Sequence, residues 1–241
     1  MLSVILGTLN RKENIKFIIE NTISKSNLIE LVIVDGGSTD GTIEFLKSIN
    51  HENIVLIEYG KKSSYSHFMN LAIKNSSNKY ICQWNSDAIL INDWQEVINL
   101  VSSENDGYIF NWKIAQNLDY RNNKNWLFGS SASDGWMILD NTKNRIENCI
   151  PGEIVMNYGI YNKEIFKRIG RFNRFFKFYF ADGDLSNRAF YFGYKIKVLE
   201  NIKVLVLDSP KSRKPKKIEL ILYKSFLKVY IFISKLKKFL K

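Results

Sequence analysis

The feature that most constrains this chain is an alternation in its first half. Short apolar, β-branched runs take turns with segments whose apolar residues recur every three or four positions. The strand-like runs are "LSVILG" (2–7), "IELVIVD" (29–35), "NIVLIEY" (53–59) and "KYICQW" (79–84). The first segment between them is "KENIKFIIENTISK" (12–25), where Ile15, Ile18, Ile19, Thr22 and Ile23 hold helical spacing. "DGTIEFLKSI" (40–49), with Asp40 and Ser38 placed to cap it, and "YSHFMNLAIKNS" (65–76) are the others. Such repeats point to an α/β fold with a mainly parallel, Rossmann-like sheet flanked by helices. Ligands of these sheets gather at the carboxyl ends of the strands. Three polar clusters fall at predicted ends: "GTLNR", "DGGSTDG" and "NSDA".

The second half is less regular. "DGYIFNWKI" (106–114) reads as a strand and 116–150 as long, Asn-rich loops. Helices are expected over 162–170 and 182–193, and one or two strands over 195–207. A chain of 241 residues, 45% hydrophobic, can bury one large core. The expected organisation is a domain over 1–210 and a basic tail over 211–241.

Nearly all of the net charge of +11 belongs to that tail, which holds eleven Lys and Arg against Glu219 alone. The body is nearly neutral, so no nucleic-acid partner is expected. Cys82 and Cys149 match no metal spacing and imply no disulfide framework, which favours a reducing compartment. The N-terminus lacks the pattern of a signal peptide, and no run of eighteen apolar residues occurs.

Asp87 stands at the exit of a predicted core strand with no cation beside it in sequence. An unpaired charge there is costly unless it serves a turn or a ligand. Asp35, at the end of the second strand, can accept hydrogen bonds from a base N–H or a ribose hydroxyl. Gly36 and Gly37 let the backbone turn sharply after it. The same cluster also reads as a plain strand-to-helix turn.

In this order, "SVILGTLNR", "LVIVDGGSTDGT" and "WNSDA" resemble the nucleotide-binding half of inverting family 2 glycosyltransferases with the GT-A fold. "ADGDLSNRAFYFGYK" resembles the acceptor-half motif of that family, and the likeness covers roughly residues 1–200. The resemblance implies a nucleotide-diphosphate sugar donor, with UDP the expected nucleotide, and transfer to a hydroxyl of a growing glycan. It places Thr8 and Asn10 in the base pocket and Asp35 on the nucleoside. It puts Asp87 on a divalent cation, Mn2+ or Mg2+, that neutralises the diphosphate. Asn85 stands where the family carries a carboxylate, and Ala88 where a further acid is frequent, so a weak metal site is expected. His67 is placed to reach the diphosphate or the sugar, or is an ordinary polar helix residue.

By the same resemblance Asp182 is the general base for the acceptor hydroxyl. Ala181 replaces the family's glutamate, which removes a neighbour that would raise the pKa of Asp182. Asp184 and Arg188, four apart, are expected to pair and serve structure. Weaker candidates are Lys61 and Lys62 toward phosphate, Glu153 toward a sugar hydroxyl, and Trp84, Trp112, Trp126 and Trp136 as stacking surfaces or core. Cys82 is expected to be buried and inert.

The tail "KPKKIELILYKSFLKVYIFISKLKKFLK" is amphipathic, with Pro215 marking its start. Lys217, Lys224, Lys228 and Lys235 form one stripe, with Leu222, Phe226, Val229, Ile233, Leu236 and Leu240 near the opposite face. This suits a helix lying in an anionic membrane surface, or one packed on the body or a second subunit. The first option makes the protein cytoplasmic and peripheral on the inner face of the cell membrane, with a lipid-linked acceptor.

Rival readings are weaker. A nucleotide-sugar pyrophosphorylase wants a glycine-rich, Arg-bearing loop after the first strand, and "GTLNRKEN" has one glycine. No G-x-G-x-x-G follows that strand, which argues against a dehydrogenase. A non-catalytic, membrane-attached binding protein stays open, because Asn85, Ala88 and Ala181 thin out the acids.

Overall fold

The computed structural model describes residues 1–104, 107–116, 153–154, 156, 158–206 and 216–239. Its first half follows the alternation. Strands β1 (Leu2–Thr8), β2 (Ile29–Asp35), β3 (Ile54–Glu58) and β4 (Tyr80–Gln83) are parallel, in the order β3-β2-β1-β4. Helices α1 (Lys12–Asn21), α2 (Thr42–Ile49) and α3 (Tyr65–Asn75) connect them. β2 is buried along its whole length, because helices cover both faces. Alternate residues feed two cores. Leu2, Val4 and Leu6 pack with Ile15 and Ile18 of α1, while Ile5, Val32 and Val34 pack with Met69 and Ala72 of α3.

Helix α1 is shorter than the periodicity predicts. The Thr22 hydroxyl donates to the Ile18 carbonyl at 2.7 Å, and residues 23–25 tighten into a 3₁₀ turn. Gly7 has its own reason: a Cβ there would meet the Phe68 ring of α3 at 2.7 Å.

Beyond β4 the sheet changes character. Strand β5 (Ala88–Leu90) and helix α4 (Trp94–Ser102) come first, and β6 (Tyr108–Gln116) follows. Next are β7 (Ile160–Asn162), helices α5 (Ile165–Ile169) and α6 (Ala181–Tyr191), and β8 (Lys195–Val206). β7 is antiparallel to β4 and β6, β8 is parallel to β6, and β5 is antiparallel to β8. Among the described residues this completes an eight-stranded sheet, β3-β2-β1-β4-β7-β6-β8-β5. β5, β7 and α4 were not expected. Three-residue strands are too short to show a period of two, and their pairing is set by distant partners. α4 has a local signal: the Asp93 carboxylate caps it, accepting from the Gln95 N–H at 2.9 Å. The 195–207 segment forms one strand with a bulge, where Trp112 pairs Leu199 and Lys113 pairs Lys203.

Trp84 and Trp112 are core, packed edge-on with Trp94. Cys82 is buried, and burial pushes its thiol pKa well up, as expected of an inert cysteine. Trp126, Trp136, Cys149 and, apart from Gln116, the loops expected over 116–150 lie outside the described residues.

Helix α7 (Lys217–Phe239) packs on the body along one seam, as the packing option expects, and leaves its other faces exposed. One seam, Glu219, Tyr223, Leu227 and Tyr230, is buried against the body, largely on α6. Leu222, Val229 and Leu236 stay exposed, as do Lys217, Lys224, Lys228 and Lys235. Among the described residues no helix is long and apolar enough to cross a membrane.

Candidate active site

The loops after β1 and β2 are laced together. Thr8 and Asp35 are register partners, and the Gly36 N–H donates to the Thr8 carbonyl at 2.9 Å. Asn10, at φ 53°, receives the Thr39 N–H on Oδ1 at 2.7 Å, while its own N–H donates to Ser38 Oγ at 2.8 Å. Asp35 is fully buried. Its Oδ1 accepts the N–H groups of Gly37 and Ser38 at 2.8 and 2.7 Å, and its Oδ2 accepts the Ser38 hydroxyl at 2.6 Å. A sharp turn leaves those N–H groups without carbonyl partners, and the carboxylate serves them. Asp40 does not sit at the cap position, which Gly41 takes, but its Oδ1 accepts from the Thr42 N–H at 3.1 Å. The Thr8 hydroxyl is buried with no hydrogen-bond partner.

His67 joins this end of the sheet through Tyr59, whose N–H donates to the Asp35 carbonyl at 2.9 Å. The two rings lie 4.8 Å apart, and His67 Nε2 is buried with no partner. Lys61 is exposed and lies 5.5 Å over the Tyr59 ring, and Lys62 is exposed.

Asn85 and Asp87 occupy the tight turn between β4 and β5, held to α1 by Asn14, which donates to the Ser86 carbonyl at 2.9 Å. Tyr158, at a strained φ of 61°, faces them. Asn85 Nδ2 lies 3.5 Å from its hydroxyl. Burial first, and then the Asp87 and Asp182 carboxylates, hold the Tyr158 phenol protonated, well above its usual pKa. Tyr158 thus sits in the fields of both carboxylates. No cluster of three or more His, Cys, Asp or Glu occurs among the described residues. One carboxylate and one amide oxygen on a turn nevertheless fit a hard cation whose remaining ligands are diphosphate and water.

Asp182 opens α6, half-buried at the site. Gln83 Nε2 donates to its Oδ1 at 2.8 Å and also lies 2.6 Å from the Tyr65 hydroxyl, which gives Asp182 a second hydrogen bond. Burial raises its pKa to about 7, and the Gln83 and Tyr65 hydrogen bonds hold it from going higher. The missing glutamate does not leave Asp182 at an ordinary value, because packing supplies the upward shift. Ala181 is buried in the core.

Asp184 is fully buried and takes Arg188 at 2.7 Å, the expected pair. It also accepts the Tyr230 hydroxyl of α7 at 2.8 Å. Glu153 is engaged by α7 as well, accepting the Tyr223 hydroxyl at 2.5 Å. Gln83, Tyr65 and Tyr158 were not anticipated. The only local signal for Gln83 was an amide in an otherwise apolar strand.

Fold and site together define an α/β fold with a mostly parallel sheet and its polar groups at the strand ends. The Glycosyl transferase family 2 profile matches residues 3–170, so the chain belongs to that family; α6 lies beyond the matched span. No curated protein matches it in sequence. Among solved structures it is similar to S. aureus TarS 1–349 in complex with UDP (TM-score 0.65, 19% identity), covering 95% of this chain and 64% of that one. It is also similar to the mannosyltransferase PcManGT from Pyrobaculum calidifontis in complex with GDP-Man and Mn2+ (TM-score 0.58, 16% identity), covering 98% and 64%. The chain therefore spans just under two-thirds of either structure.

Proposed function

We propose that this glycosyltransferase inverts the anomeric carbon as it moves a sugar from a nucleotide-diphosphate donor, UDP-linked by preference, to a hydroxyl of a surface glycan. The observation that carries the reading is Asp182. It is a carboxylate with a pKa of about 7, held by Tyr65 at the start of α3 and by Gln83 on the strand that leads into the Asn85–Asp87 turn. A base of that strength is matched to proton removal near neutral pH.

In the reaction Asp182 takes the proton of the acceptor hydroxyl. The oxygen attacks the anomeric carbon, and the bond from that carbon to the diphosphate oxygen breaks with its electron pair leaving on the diphosphate. Thr8, Asn10 and the turn folded by Asp35 form the nucleoside pocket. His67 faces the diphosphate side. Asp87, with Asn85 beside it, would hold a divalent cation, which when bound supplies charge neutralisation for the leaving group. The UDP of the TarS structure and the GDP-Man and Mn2+ of the PcManGT structure support the donor class and the metal. Body 1–210 carries this chemistry, and tail 211–241 holds it on the inner face of an anionic membrane, where a lipid-linked acceptor is met.

The test is donor hydrolysis and thermal shift with UDP, GDP, CDP and dTDP, each with and without Mn2+. A metal-dependent rise in melting temperature with one nucleotide is expected. No shift with any at saturation would overturn the reading.

A further inference from the structure

The loop between α5 and α6, "GRFNRFFKFYF" (170–180), is built unlike an ordinary surface loop. Phe172 and Phe176 are buried and fix it from inside. Asn70 brackets Phe172, donating to its carbonyl at 2.8 Å and accepting its N–H at 2.9 Å. Arg188 holds the Arg171 carbonyl at 2.8 Å, and Ser66 donates to the Phe176 carbonyl. This rigid backbone presents Phe175 and Phe178 to solvent, 69% and 56% exposed. Arg171, Arg174 and Lys177 are exposed beside them, and the segment contains no acid before Asp182. Displaying two large aromatics from a braced loop has a hydration cost unless something covers them.

The patch does not end at the loop. Phe175 lies 6.3 Å, ring to ring, from Phe226 of α7. Phe226 borders the outer stripe of that helix, where Ile218, Leu222, Val229, Phe232 and Leu236 recur at spacings of three, four and seven, all exposed. Lys217, Lys224, Lys228 and Lys235 run along the other border of the stripe. The only acid of α7, Glu219, is buried against the body. Apolar centre and basic rim therefore continue from helix to loop. That is the chemistry of an anionic lipid surface, with acyl chains for the aromatics and headgroup phosphates for the cations.

We propose that loop 171–178 and the outer face of α7 form one docking surface for an anionic bilayer, with Phe175 and Phe178 entering the lipid. This rests on the membrane-bound glycosyltransferase reading above and extends it from the tail to the acceptor side of the site. The Phe178 ring lies 6.2 Å from the ring of Tyr65, whose hydroxyl meets Gln83 and Asp182. Docking by this loop sets the Asp182 side of the site at the membrane, so an acceptor on a lipid carrier meets the base without leaving the bilayer.

The full chain is tested by co-sedimentation with vesicles of phosphatidylcholine alone and of phosphatidylcholine mixed with phosphatidylglycerol. Wild type is expected on the mixed vesicles only. Phe175→Ser with Phe178→Ser is expected to bind roughly tenfold more weakly, with its melting temperature and UDP-induced thermal shift unchanged. Phe175→Trp is expected to add emission that brominated acyl chains quench. If the double serine variant binds like wild type while Val229→Ser with Phe232→Ser does not, the loop is not part of the surface. A wild type that ignores anionic vesicles but sediments as a dimer, split by Phe175→Ser, also overturns the proposal and makes this a self-association face. Vesicle binding that is lost in the Phe175/Phe178 variant, with no donor turnover by wild type, sinks the catalytic reading and leaves the docking surface standing.

Discussion

The two halves of the site hold their carboxylates in opposite ways. On the donor side Asp35 is satisfied by residues two and three positions away, and Asp40 by Thr42. On the acceptor side Asp182 is held by Gln83, Glu153 by Tyr223, and Asp184 by Tyr230 as well as Arg188. Donor-side acids build turns largely from local sequence, although Asp40 Oδ2 also accepts the distant Lys12 N–H at 3.0 Å. Acceptor-side acids are positioned by segments that meet only in the folded chain, and that is where pKa values can be pushed far. Asp182 reaches about 7 through burial, whereas Asp40, exposed and hydrogen-bonded, is held below the usual carboxylate range.

The sharpest break of this comparison is Asp182→Asn. Transfer is expected to fall about 10³-fold, the usual worth of a positioned base, with the UDP-induced thermal shift kept. The raised pKa makes the folded state bind more protons than the unfolded between the ordinary value of 3.8 and about 7. The wild type therefore loses stability as pH rises through that window. Asp182→Asn is expected to melt higher than wild type at pH 8 and not at pH 4. Melting curves across pH check the sign.

Asp87→Ala probes the donor side. At nucleotide a hundred times its Kd, binding adds about 2.7 kcal/mol of stability. The metal-dependent part of that shift is expected to vanish in the variant, with the metal-free part retained. Gly183→Ala tests the link to the tail, because a Cβ there would collide with the Tyr223 hydroxyl. Moving that hydroxyl off Glu153 and Asn187 is expected to cost about 1–3 kcal/mol, read by denaturant unfolding. Gln83→Leu is the mildest change. It removes a hydrogen bond that lowers the pKa of Asp182, so the acidic limb of the rate profile moves to higher pH. Rates well above the raised pKa stay near wild type.

Much of the donor half was legible in the sequence. Strands β1 to β4 were visible because apolar runs of that length, separated by helical periodicity, admit few arrangements. "VDGGSTDGT" announced a turn at a strand end, and the turn is there. Its carboxylate accepts two backbone N–H groups and the Ser38 hydroxyl, so Asp35 shapes the turn that the motif announced. The 184–188 ion pair was readable from spacing alone. Gln83, Tyr65 and Tyr158 were not, because an amide in a strand and two tyrosines carry no local mark of their neighbours.

The tail shows the same division. Its sequence determined an amphipathic basic helix with lysines on one stripe. It did not determine that Tyr223 and Tyr230 would seat their hydroxyls on Glu153 and Asp184, leaving the apolar stripe exposed beside Phe175. By itself the sequence determined the order of elements, the parallel start of the sheet and the acids at the strand ends, because these follow from periodicity and turn chemistry within a few residues. Only the tertiary structure decided that Asp182, in the first turn of α6, packs among distant side chains and so has the pKa of a base. Desolvation depends on what packs against a group, and that is set by the whole chain.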